Sequence, residues 1–214
     1  MSSLPVPNLR VGRLADRAHY DRATVDPILD AAYVAHVGVV VDGAPVVIPF
    51  ACARVGDELV IHGSTRAGML SAAAAGAPIC ATVTLLDGLV LARSAFHSSM
   101  NYRSVVVHGV ARAVDDPQEK VRLLDALFDH LLPGRREALR PMSDGELSAT
   151  TVIALALDHA SAKVRTGGPD DPEPDRRREI WGGVIPLALA YGTPQPDGVT
   201  APGVAAPHVA RTTR

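Results

Sequence analysis

The sequence is short of several things, and each shortage removes a class of protein. Its 214 residues include two cysteines, Cys52 and Cys80. They form no CxxC pair and lie within apolar runs. A disulfide framework or thiolate metal centre is therefore not expected, and buried thiols in a reducing compartment are. Aromatic residues make up only 4% of the chain, so the core must come from Ala, Val and Leu. Neither sign of charge is in excess: 21 Lys and Arg stand against 23 Asp and Glu, a formal net charge of −2. That balance argues against nucleic acid or an anionic membrane surface as a partner. No apolar run reaches the ~20 residues of a membrane span. The stretch from Met1 to Arg13 is polar and Pro-containing, without the apolar centre of a signal peptide. The expectation is a cytoplasmic protein.

What is present is a chain that is 47% apolar, enough to bury a core as one domain with decorations. Residues 1–20 read as an irregular arm. Thr24 can cap a short helix through Ala32, with Pro27 tolerated in its first turn. Val-rich runs follow from His36 to Val41 and from Val46 to Ala53. Asp42-Gly43 between them is a hairpin signal, because both turn positions want positive φ. Gly56-Asp57 marks another turn, and Glu58 to His62 a third strand. Ser64 then caps an Ala-rich helix that Gly76 and Pro78 stop.

Pro78 to Leu86 and Leu89 to Ser94 read as a second hairpin around Asp87-Gly88. Arg103 to Val114 is a long Val-rich strand. Asp116-Pro117-Gln118-Glu119 carries the signature of a capping box. Val121, Leu124, Phe128 and Leu131 follow it at helical spacing. Ser143 to Glu146 is a further capping box. Thr151 to Leu157 closes the core strands, with a continuation over Ala162 to Arg165. Gly167 to Arg178 has no core-forming pattern, Trp181 to Tyr191 regains apolar character, and residues 192–214 read as a disordered Pro/Gly/Ala tail. Six or more short strands with tight turns and inserted helices predict a mainly β, antiparallel barrel.

Two stretches carry side chains suited to chemistry. In the first, Ile61 to Leu70, a strand gives way to a helix within a few residues. Free N–H groups at the helix start, the Ser64 and Thr65 hydroxyls and the Arg66 guanidinium would form an anion site. An ordinary N-cap beside a solvated arginine fits the same spacing. In the second, Arg93, His97, Asn101, Tyr102 and Arg103 cluster between two apolar runs. They suit a pocket wall, a subunit contact or a solvated loop. His62 and His97 lack the HxH or HExxH spacing of a zinc site. No P-loop or GxSxG occurs, and no acidic orienter accompanies His97 and Ser98 or Ser99, so hydrolase chemistry is disfavoured. Lys163 ends the last strand, and Trp181 is the only tryptophan.

Taken together, the runs His62 to Leu70, Thr82 to Ser94, His97 with Met100 to Val107, and Ala160 to Gly167 resemble the pyridoxamine 5′-phosphate oxidase-like, FMN-binding split-barrel family. The likeness is to its flavin-nucleotide-binding, nitroimidazole-resistance-type branch and spans residues 21–191. It implies a homodimer of six-stranded antiparallel split barrels with two FMN sites in the dimer interface, and a small-molecule substrate. It places the flavin phosphate on Arg66 with Gly63, Ser64 and Thr65. The ring would lie along Pro49, Phe50, Ala51, Ile61 and His62, with Thr82 and Thr84 as another wall. Asn101, Tyr102, Arg103 and Trp181 would reach in from the partner subunit. The activity implied is an oxidoreductase using a nicotinamide donor. Alternatives are a non-catalytic flavin carrier or sensor, and a barrel holding deazaflavin or haem. The C-terminal Arg/His end of the true oxidase is missing, so vitamin B6 oxidation is not expected.

Overall fold

The computed structural model describes residue 12, residues 14–201 and residues 203–207. The arm from 1 to 11, residue 13, and positions 202 and 208–214 of the tail lie outside the described residues. The rest of the tail, from 192, has no regular secondary structure.

The fold is one curled antiparallel sheet with helices on it. Helix α1 (Arg22–Ala31) is capped by Asp21, whose carboxylate accepts the Thr24 N–H at 2.8 Å; Thr24 belongs to the first turn and is not the cap. Pro27 sits inside the helix, beyond its first turn. Strands β2 (Val34–Val41) and β3 (Ala44–Val55) pair around Asp42 and Gly43, at φ 51° and 78°, as the Asp-Gly signal requires. Gly56, at φ 62°, turns the chain into β4 (Glu58–Ser64). Helix α2 (Gly68–Ala74) begins four residues later than Ser64, because Ser64 is still paired with Thr150 as the end of β4.

Strand β5 (Pro78–Leu91) corrects the expected hairpin at Asp87-Gly88. It runs straight through, and the pair forms a bulge against β6 (Ser99–Val110). Two tertiary contacts override the local turn preference. Arg103 on β6 takes the Asp87 carboxylate in two bonds of 2.9 and 2.7 Å, and β10 (Gly183–Pro186) pairs alongside at Gly88. The real turn lies between Leu91 and Ser99.

Strand β6 continues through buried Ala111 into β7 (Arg112–Ala113), which pairs with β8 (Thr150–Ala156) at the far edge of the sheet. This bend curls the sheet into a barrel. Val105 and Val107 of β6 and Ile153 and Leu155 of β8 share one buried core with Val37, Ile61 and Val83. A 3-10 turn, Leu157–His159, carries the chain to β9 (Ala160–Arg165), which pairs with β6 and with β1 (Ala18–His19). The described part of the predicted irregular arm therefore contributes a short edge strand. Among the described residues the sheet has ten strands, short edge pieces such as β1, β7 and β10 included.

Helix α3 (Pro117–Leu131) covers the outside of β3 and β4. Its inner face is Leu123, Leu124 and Leu127, packed on Ala53, Val60, Val152 and Ala154. Asp116 caps it, but the Glu119 carboxylate turns away to Arg112, so no reciprocal capping box forms. The box at Ser143 does form and opens α4 (Asp144–Ser148). A short helix, α5 (Glu173–Arg176), lies in the Gly/Pro/Asp/Arg segment. Among the described residues, no helix is long and apolar enough to cross a membrane.

Candidate flavin-binding site

Alternation along the strands sorts the candidate residues. Ala35, Val83, Val105 and Ala162 point into the buried core, so their neighbours in sequence point out of the barrel. The pairs His62–Val152, Ala51–Val34, Thr84–Ser104 and Ser104–Lys163 are therefore parts of one outer belt that crosses the sheet. A second belt carries Pro49, His36, Thr82, Val106 and Ser161. Thr82 spends its hydroxyl on the Val105 carbonyl, 3.0 Å away. Ile61 is fully buried in the barrel core, so its side chain does not share this outer face.

His62 sits in the first belt, on β4, opposite Val152. It is half-buried, and its Nδ1 is buried with no hydrogen-bond partner. Desolvation pushes the imidazole below its ordinary pKa, which keeps it neutral at neutral pH.

The corner after His62 is tightly made. A Cβ on Gly63 would lie 2.5 Å from Leu70 Cδ1 and 3.4 Å from the Phe50 ring. Glycine here lets α2 pack close against the end of β4. Ser64, Thr65 and Arg66 are exposed. The Arg66 N–H donates to Ser64 Oγ at 3.2 Å, and the Thr65 N–H to the Ala149 carbonyl at 3.0 Å. The N-cap position of α2 is Ala67, which has no side chain able to cap. The first turn of α2 thus starts without a side-chain acceptor beside an exposed guanidinium, an arrangement that suits an anion. Among the described residues, Arg66 pairs with no carboxylate.

The second group lies further along β5 and β6. Asn101, 8% exposed, bonds through its oxygen to Arg165 and through its nitrogen to the Gly167 carbonyl at 3.0 Å. Arg103 is held by Asp87, and Tyr102 stands opposite Leu86 on the outer face. Trp181 is 63% exposed and rests against Gly183, where a Cβ would meet its ring at 2.9 Å. The corner and the belts share the face around β3 and β4. Asn101, Arg103 and Trp181 are not drawn to that corner within one chain.

Sequence reasoning passed over Asp171. Its segment has no core pattern, yet it is 3% exposed and holds Arg93. The Arg93 backbone N–H and then its guanidinium hold the Asp171 carboxyl below the usual carboxylate range. An acidic residue within a Gly/Pro-rich segment was the only local signal. Cys80 Sγ lies 3.7 Å from His108 Nε2 on the outer face, and burial pushes its thiol pKa up. Among the described residues, no three His, Cys, Asp or Glu are grouped to hold a metal ion.

The outer face also carries uncovered apolar side chains. Val34, Val40, Val47 and Leu86 are all exposed, and Ile185, Leu89 and Met100 form an exposed row across three strands. A run of this kind on a sheet is a surface for association.

The family model described as pyridoxamine 5′-phosphate oxidase matches residues 21–164. Among solved structures, the chain is similar to the flavocytochrome Anf3 from Azotobacter vinelandii. Identity is 41%, covering 97% of this chain and 96% of that one, with a TM-score of 0.88. It is 42% identical to the FAD and haem binding protein from Mycobacterium smegmatis, covering 90% and 95% of the two chains, with a TM-score of 0.86. A 5-nitroimidazole antibiotic resistance-type protein from Bacteroides thetaiotaomicron shares the fold at 23% identity. That match covers 69% of this chain and 86% of the other, with a TM-score of 0.59. No curated protein sequence matches the chain. The chain belongs to the pyridoxamine 5′-phosphate oxidase-like, FMN-binding split-barrel family of flavoproteins.

Proposed function

We propose that this chain is a flavin-dependent oxidoreductase that works as a homodimer, with the flavin at the seam and its phosphate in the Ser64–Arg66 corner. The observation that carries the redox assignment is the likeness, at 41% and 42% identity, to two proteins whose names join flavin chemistry to haem. The uncovered apolar outer face supports the dimer. The exposed corner supports a phosphate-bearing flavin, FMN or FAD. The flavin supplies the hydride and electron chemistry. The chain's residues bind and orient it: Arg66, Ser64 and Thr65 the phosphate, Ala51, His62 and Thr84 the belt along which the ring lies. Tyr102 and Trp181 belong to the face a second copy would bring to the seam, while Asn101 and Arg103 are engaged within their own chain. Electrons come from a nicotinamide donor and go to a small-molecule acceptor.

Haem as an additional group is a second reading, favoured by His62. Burial keeps its imidazole neutral, the form that ligates iron. The test is the absorption spectrum of protein purified without added cofactor. Flavin bands at about 450 nm are expected. A colourless protein that takes up neither FMN nor FAD on titration would overturn the reading. Haem addition should give a Soret band that is lost in His62→Ala; an unchanged band removes His62 as ligand. Oxidation of NAD(P)H with an acceptor separates an enzyme from a flavin carrier, which would show none.

A further inference from the structure

The corner at Ser64–Arg66 is the last residue of β4 and two linker residues, held locally by the Arg66 N–H on Ser64 Oγ, the Ala67 N–H on the Ser64 carbonyl and Ser71 Oγ on the Thr65 carbonyl. Across the sheet, the Thr65 N–H donates to the Ala149 carbonyl and Ser64 pairs with Thr150. The position of the corner therefore also depends on where residues 149 and 150 sit. That segment runs from the end of α4 into β8, and Lys120, in the first turn of α3, donates into it. Its Nζ donates to the Thr150 carbonyl at 3.0 Å and to the Leu147 carbonyl at 3.4 Å.

Lys120 is partly buried and pairs with no carboxylate among the described residues. Its partners are neutral oxygens, so its positive charge is not cancelled at close range. The acidic residue facing this segment from α4, Glu146, is neutralised by Arg140 at 2.5 Å and by the Ser143 cap. Two cations without carboxylate partners, Arg66 and Lys120, thus flank the same strand end from two elements.

We infer that Lys120 is the positioning residue of the phosphate corner. It clamps residues 147–150 so that Thr65 and Ser64 present their donors, and it adds a second positive charge behind Arg66. The inference rests on the reading of that corner as the flavin phosphate site, and selects for flavins carrying a phosphate over riboflavin, which has none.

The test titrates FMN, FAD and riboflavin into the full-length apoprotein by flavin fluorescence, for wild type, Lys120→Met, Lys120→Gln, Lys120→Arg and Arg66→Ala. Lys120→Met should lose about tenfold of the preference for FMN over riboflavin, the size of one charge-assisted contact, while riboflavin affinity holds. Lys120→Arg should restore most of the preference. Lys120→Gln, which keeps a donor but no charge, serves if the Met variant does not fold, and should lose preference too. A purely structural lysine would weaken both flavins alike, and that result overturns the inference. If Arg66→Ala lowers the preference and Lys120→Met and Lys120→Gln do not, the role of Lys120 falls while the corner stands. If Arg66→Ala leaves the preference untouched, the corner itself is misplaced and the inference goes with it.

Discussion

Asp171 closes over Arg93 across 78 residues of sequence, accepting its backbone N–H at 2.9 Å and its guanidinium at 2.8 Å. The Asp171 carbonyl in turn accepts from Arg176 Nε at 2.8 Å. A Cβ on Gly182 would lie 2.7 Å from the Arg93 guanidinium. One carboxylate thus ties the turn after β5 to the segment that leads into Trp181 and β10.

Replacing that carboxylate should release the segment. In Asp171→Asn one oxygen becomes a donor facing the Arg93 guanidinium, itself a donor. Trypsin should then cleave after Arg176, Arg177 or Arg178 markedly faster than in wild type, with Trp181 emission changing in step. Equal cleavage rates would show that β10 alone holds the segment.

The corner at Gly63 leaves no room for a side chain. Gly63→Ala drives a methyl into fully buried Leu70 and toward Phe50, and should cost about 1–3 kcal/mol as an overpacking change. Urea denaturation of the apoprotein measures it. A loss of that size without a change in m-value would place the strain in the folded state.

His62 makes stability depend on pH in a defined direction. Its folded pKa lies below the ordinary value of 6.5 because burial disfavours the charged ring. Between that folded pKa and 6.5 the unfolded chain binds more protons, so stability falls as pH drops through this window and levels off below it. The contribution is fully present above pH 6.5. His62→Gln should flatten this limb of a melting-temperature profile. A variant profile that keeps the full slope would assign the effect to other groups.

Arg66 is exposed and has no carboxylate partner among the described residues, so its removal should spare the fold and strike binding. Arg66→Ala is expected to weaken FMN binding by roughly 1.5–3 kcal/mol, the range for a lost charge-assisted hydrogen bond. Wild-type affinity should also fall with added salt, since exposed charges are screened. A salt-independent affinity would argue that the phosphate is bound elsewhere.

Deleting side-chain volume inside the α3 contact tests the second core. Leu123 is 1% exposed between Val60, Val152 and its helical neighbours, so Leu123→Ala should cost about 2–5 kcal/mol. Val121, half-exposed on the same helix, should tolerate Ala far better. Equal costs would mean that α3 packs through a different face.

By itself the sequence determined whatever is encoded within a few residues. Asp42-Gly43 specified its hairpin because only a few residue types enter positive φ without strain. Asp116 and Ser143 specified their helix starts because a short side-chain acceptor reaches the nearby free N–H groups. Alternating Val, Ile and Leu specified a β core, and the run from His62 to Arg66 already marked the corner. Tertiary structure decided the rest. Asp87-Gly88 has the chemistry of a turn, yet Arg103 and β10, distant in sequence, hold it as a bulge in a continuous strand. Asp171 looks like loop composition, and only folding brings Arg93 to it. Lys120 looks like a solvated helix position, and only the packing of α3 beside α4 sets it over the Leu147 and Thr150 carbonyls, on either side of the one that accepts from Thr65. In each case the deciding partner lies 16 or more residues away, beyond any local pattern, and local propensity, worth about a kcal/mol or less per residue, yields to a charge that finds its hydrogen bonds there.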